Sequence, residues 1–207
     1  MLDRTEINNF YLEKLSAHGA SARGVGWKDQ PAQQIRFHQL IKIIGPENAF
    51  GINDLGCGTG DLIHLLDAEF KGRYSYSGYD VLEEMIISAR QQFVECPSVR
   101  FQKFDSYDQI ETSDYTVASG IFNVRNSIQD GPWQAFILET ITAMSKCSRK
   151  GFAFNALTKY SDQEYMRPDL FYSDPLFLFD FCKKQFSRNV ALLHDYELYD
   201  FTILVRK

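Results

Sequence analysis

A chain of 207 residues with 44% apolar and 14% aromatic side chains can bury about 70% of the surface its unfolded form exposes, which points to one packed domain and not to a disordered chain. Its formal net charge of −5 argues against a protein that holds DNA or RNA chiefly by neutralising phosphates. The four cysteines, Cys57, Cys96, Cys147 and Cys182, form no C-x-x-C pair and have no histidines at metal-ligand spacing, so they read as reduced thiols with no metal.

In chain order, "LDRTEINNFYLEKLSAHG" is an amphipathic helix with a glycine stop, and "PAQQIRFHQLIKIIG" is a second helix with Pro31 near its start and Gly45 at its end. The glycine-rich "GASARGVGWKDQ" between them is expected to be the most mobile segment. The N-terminus lacks the charged, apolar and small-residue succession of a signal peptide, and no apolar run approaches the roughly 18 residues of a membrane span. A cytoplasmic protein with no membrane partner is therefore expected.

From Phe50 onward short apolar runs alternate with helical periodicity. "AFGINDLG", "RYSYSGYD", "VRFQKFD", "YTVASGIF" and "GFAFNAL" read as strands. "DLIHLLDAEF", "VLEEMIISARQQF", "PWQAFILETITAMSKC" and "PLFLFDFCKKQF" read as helices. Lys146, Arg149 and Lys150 cluster at an expected helix end, where basic groups complement the helix dipole. The last strands, "NVALLHDY" and "LYDFTILVRK", lie too close for a crossover helix and are expected to pair antiparallel. The pattern predicts an α/β, doubly wound, Rossmann-like domain over residues 1–207, with 1–49 as a helical cap and 50–207 as the core. Ligands of such sheets sit beyond the C-terminal strand ends.

The glycines of "INDLGCGTGDL" follow the first of these strands. Gly56, Gly58 and Gly60 make G-x-G-x-G, which fails the G-x-G-x-x-G template on which a dinucleotide pyrophosphate rests. A nicotinamide oxidoreductase is disfavoured by that spacing, and a nucleotide without phosphates is the alternative.

The order of motifs from Phe50 to Lys207 resembles that of class I S-adenosylmethionine-dependent methyltransferases, a resemblance that implies a mostly parallel seven-stranded sheet with a reversed C-terminal strand. "INDLGCGTG" resembles the family's first motif, which places Asp54, Gly56, Cys57, Gly58 and Gly60 beside the methionine part of the cofactor. Asp80, with Val81 after it, matches the acid that takes both ribose hydroxyls; a carboxylate suits a diol because it accepts hydrogen bonds without offering a donor. Asp105 and Ser106 match the adenine-binding position after the third strand. Met85 matches an apolar cover for adenine, while Ser119, Gly120 and Phe122 in "ASGIFNV" match the loop near the transferred methyl. Turn formation, capping and core packing are the purely structural alternatives for these aspartates and for Met85 and Phe122.

The acceptor side carries less information, because the fold is shared by enzymes with many substrates. No "NPPY" or "DPPY" follows the fourth strand, and no aspartate-histidine metal constellation is present. Several segments resemble compact bacterial methyltransferases, some of surface-polysaccharide biosynthesis, which implies a small acceptor and an oxygen nucleophile such as a sugar hydroxyl. Tyr11, His18, Trp27, Asn123, Asn155 and Tyr172 are candidates for acceptor binding, and Arg36 for a bidentate grip on the cofactor carboxylate. His194, oriented by Asp195 near the end of the penultimate strand, is the candidate general base, since imidazole titrates near neutral pH. A catalytically inert cofactor-binding module serving a partner protein is the competing expectation.

Overall fold

The computed structural model describes residues 2–207. Seven strands, β1 (Phe50–Leu55), β2 (Tyr74–Asp80), β3 (Val99–Lys103), β4 (Ser113–Ala118), β5 (Ser148–Leu157), β6 (Asn189–Leu193) and β7 (Asp200–Arg206), form one sheet in the order β3-β2-β1-β4-β5-β7-β6. Strands β1 to β5 run parallel, and β7 inserts antiparallel between β5 and β6. The expected hairpin and doubly wound sheet are thus present.

Among the described residues six α-helices cover the sheet: α1 (Thr5–His18), α2 (Gln30–Ile41), α3 (Leu62–Phe70), α4 (Glu83–Gln92), α5 (Asp130–Lys146) and α6 (Pro175–Gln185). Strand alternation sorts the core into two layers. Phe152 and Phe154 of β5, with Phe201, Ile203 and Val205 of β7, pack against Ile137, Ile141 and Leu178 of α5 and α6. Ala153 and Leu204 face the opposite layer, which holds Phe37, Leu40, Leu62 and Ile86 of α2, α3 and α4.

Local chemistry sets the helix ends. Asp29 caps α2 by accepting from the Ala32 N–H at 2.9 Å, with Pro31 in the first turn, and Asp174 caps α6 ahead of Pro175 in the same way. No α-helix separates β3 from β4. In its place stands a short turn, Tyr107–Gln109, closed by reciprocal Ser106 and Gln109 capping. Two members of the basic cluster are paired: Lys150 lies 3.2 Å from Glu47 and Arg149 3.3 Å from Asp114.

The N-terminal segment takes its position from the two layers. Ile7 of α1 belongs to the α5 and α6 layer, whereas Phe37 and Leu40 of α2 belong to the other, so the chain between them crosses the C-terminal edge of the sheet. That crossing is a compact set of turns, with Val25 N–H bonded to Ser21 O and Trp27 N–H to Ala22 O. All four cysteines are free thiols. Among the described residues no helix is long and apolar enough to cross a membrane.

Candidate active site

A cavity of about 290 Å³ lies at the C-terminal ends of β1, β2 and β4, beneath the crossing N-terminal segment. Its floor is the β1–α3 turn and the end of β2. Asp54 is buried and accepts from the Tyr76 hydroxyl at 2.8 Å; burial raises its carboxyl to about 7. Asp80 accepts the Gly58 N–H at 3.0 Å on one oxygen and the Leu82 N–H at 3.0 Å on the other. Burial pushes this carboxyl up, opposed by those backbone donors and by the positive charge of Arg4. Each Asp80 oxygen retains lone-pair capacity for a further donor. Val81, Leu82, Met85 and Phe104 supply an apolar wall beside it. The Cys57 thiol on the floor is held neutral by burial.

What the glycine loop admits is first of all protein. A Cβ on Gly58 would stand 2.8 Å from Val25 Cγ1, and one on Gly120 would stand 2.5 Å from the Trp27 ring. Both glycines hold positive φ, +53° and +76°, which side chains rarely adopt. The glycines therefore let the N-terminal segment seat directly on the floor and on the loop after β4. Gly60 faces Phe93 and Phe101 and does not line the cavity.

The roof consists of Tyr11 from α1, Val25 to Trp27 from the crossing, and Gln33, Arg36 and Phe37 from α2. Arg36 is its anchor. Its Nη2 donates to the fully buried Asp200 at 2.5 Å, its Nη1 donates to Ala32 O at 2.8 Å, and its Cζ lies 4.2 Å from the Trp27 ring centroid. Its Nε is buried without a protein partner. Gln33 closes the flank by donating to Asp61 at 2.9 Å.

The structure brings together Asp54, Gly56, Cys57, Gly58, Asp80, Val81, Met85, Ser119, Gly120, Tyr11, Trp27, Arg36 and Asn123 around this one cavity. Other residues singled out from the sequence lie outside the cavity lining. Asp105 is exposed beside Lys103, and Ser106 caps the following turn; Phe104 and Tyr107, their flanking residues, are the ones turned inward. Phe122 is core, packed edge-on to Phe154. Asn155 is fully buried beneath the β4 loop, where it accepts the Gly120 N–H and donates to Ser119 Oγ. His18 is exposed in the last turn of α1, and Tyr172 accepts the Arg167 N–H outside the cavity. His194 and Asp195 are exposed past the end of edge strand β6, because β7 and β5 stand between β6 and the strands that carry the cavity.

Sequence reasoning missed Arg4, Ile7, Asn8, Trp133, Phe136, Thr140, Arg167 and Leu170, all of which line the cavity. No motif marks them. They reach the site from α1, α5 and the chain between β5 and α6, and only the three-dimensional packing joins them.

The sequence pattern of a family described as "Methyltransferase domain" matches residues 52–145. "Putative methyltransferase Rv1506c" of Mycobacterium tuberculosis is 49% identical over 168 residues, covering 81% of this chain and 99% of that protein. The chain is a class I S-adenosylmethionine-dependent methyltransferase. Solved structures share its fold at low identity. The magnesium protoporphyrin IX methyltransferase of Synechocystis PCC 6803 with bound SAH (S-adenosylhomocysteine) superposes with a TM-score of 0.70 at 14% identity, over 99% of this methyltransferase and 100% of that chain. The N-terminal domain of EvdMO1, in the presence of SAH and D-fucose, superposes with a TM-score of 0.63 at 16% identity, over 100% and 97% of the two chains.

Proposed function

We propose that this methyltransferase holds S-adenosylmethionine in the roofed cavity and transfers its methyl group to an oxygen of a small molecule. The observation that carries the reading is Asp80: a buried carboxylate, fixed by two backbone N–H groups, with acceptor capacity left over and an apolar slot of Val81, Leu82 and Met85 beside it. That chemistry fits a ribose diol and an adenine. Asp54 and Asp61 offer carboxyl oxygens toward a cationic methionine end, and the unpartnered Nε of Arg36 suits its carboxylate. The cofactor supplies an electrophilic methyl on a positively charged sulfur. The protein's part is to orient the two reactants and exclude water, and such positioning contributes much of the rate. Tyr11, Trp27 and Asn123 shape the acceptor end.

The same reading makes residues 1–207 one working domain with 1–49 as its cap, acting on a small-molecule acceptor and not on nucleic acid. Cytoplasmic residence accords with four unpaired thiols. A sugar hydroxyl as acceptor calls for a base, and among the described residues no histidine, lysine or glutamate lines the cavity.

Calorimetric titration with SAH tests the placement. Replacing Asp80 by Ala removes charge-assisted hydrogen bonds worth about 1.5–3 kcal/mol, so the affinity is expected to fall roughly tenfold to a hundredfold. Unchanged affinity would contradict the assignment.

A further inference from the structure

The β4 loop and β5 are tied by two side-chain amides whose orientations are fixed by backbone donors. The Gly120 N–H bonds Asn155 Oδ1 at 2.8 Å, which forces Asn155 Nδ2 onto Ser119 Oγ at 3.0 Å. Ser119 Oγ, lining the cavity, already accepts there, so its own O–H is left to donate elsewhere. The Leu157 N–H bonds Asn123 Oδ1 at 3.1 Å, which turns Nδ2 of this 6%-exposed, cavity-lining residue into a donor with no protein partner. The Tyr11 hydroxyl likewise lines the cavity without a protein partner, and burial together with Asp80 keeps it protonated. Arg4 lines the same cavity with its guanidinium over the Phe136 ring, and among the described residues no carboxylate lies within salt-bridge distance of it.

These groups all donate. The carboxylates of the cavity sit on the floor: Asp54 in β1 accepts from Tyr76, Asp80 at the end of β2 from backbone N–H groups, and Asp61 after β1 from Gln33. A wall of donors set apart from the carboxylates of the floor suits a nucleophile that arrives without a proton to lose.

We propose that the acceptor is a carboxylate, gripped by Ser119, Asn123 and Tyr11 under the positive field of Arg4. The proposal rests on the cofactor placement above. In the transfer, a lone pair of one carboxylate oxygen forms the new O–CH₃ bond while the methyl–sulfur bond breaks and its electron pair stays on sulfur. The negative charge of the acceptor and the positive charge on sulfur are discharged together, no proton moves, and the products are a methyl ester and SAH.

The test uses the full chain saturated with SAH at pH 7.5, titrated calorimetrically with matched probes: hexanoate and hexanamide, phenylacetate and phenylacetamide, glucuronate and glucuronamide. At least one acid is expected to bind tenfold or more tighter than its amide, as charge-assisted hydrogen bonds require. Asn123→Asp keeps an oxygen for the Leu157 N–H while replacing the free donor by an acceptor. It is expected to erase that preference and leave SAH affinity within twofold of native. Acids binding no better than amides, no acid binding at all, or a preference that survives Asn123→Asp would each overturn the proposal. Absence of SAH binding in the native protein would overturn the cofactor placement itself, and the acceptor proposal with it.

Discussion

The floor and the roof of the cavity are built by opposite strategies. The floor comes from one continuous stretch, Asp54 to Met85, in which two parallel strands end side by side and the N–H groups of Gly58 and Leu82, just past those ends, fix the Asp80 carboxylate. The roof and the acceptor wall are assembled from Arg4, Tyr11, Trp27, Arg36, Asn123, Arg167 and Leu170, residues far apart in the chain and held by side-chain contacts. The difference teaches that the floor is rigid by topology, whereas the roof depends on a few specific bonds. Mutations should separate the two.

The largest effect is expected at the roof anchor. Arg36→Met leaves the fully buried Asp200 without its cation, and stranding one partner of a buried pair costs about 3–5 kcal/mol. For a chain of this size that is a fall of roughly 10 °C in melting temperature. A melting temperature within a degree or two of native would show that the anchor is dispensable.

The floor should respond with the opposite sign. The Asp54 carboxyl, raised to about 7 in the folded chain from an ordinary value of 3.8, binds a proton more tightly folded than unfolded. Its contribution to stability is therefore present at low pH and is lost as pH rises from about 4 through 7, by up to about 4 kcal/mol. Asp54→Asn removes that slope. Its melting temperature relative to native is expected to climb from pH 5 to pH 8, and a constant difference across that range would contradict the burial argument.

The smallest effect is expected where floor and roof touch. In Gly120→Ala, the added carbon meets Trp27 and the backbone keeps a φ unfavourable to alanine, a strain of about 1–3 kcal/mol. Displacement of Trp27 should weaken SAH about tenfold. Native affinity in this variant would mean that Trp27 does not close the cavity in solution.

The floor was legible in the sequence for the reason that makes it rigid. Strand periodicity located β1 and β2, and the acid and glycines at their ends mark positions where backbone geometry restricts the choice of residue. Even there the meaning of the glycines was incomplete, since Val25 and Trp27, which occupy the space beside Gly58 and Gly120, lie at a distance that no local motif spans. Asp105 and Ser106 fell one residue to the side of the inward-facing positions: the turn that replaces a helix between β3 and β4 directs Phe104 and Tyr107 into the cavity instead. His194 lies at the C-terminal edge of the sheet, past the end of β6. The insertion of β7 between β5 and β6 sets it too far along that edge, and strand order is not encoded in the local pattern around Leu193.

Hydrogen exchange with and without SAH addresses the central claim, that the ligand lies between the β1 and β2 ends and the crossing N-terminal segment. The account predicts slowed exchange at the Gly58 and Leu82 amides and through Val25 to Trp27, with the His194 to Tyr196 turn unchanged. Slowing confined to that turn, with Val25 to Trp27 exchanging as in the free protein, would contradict it.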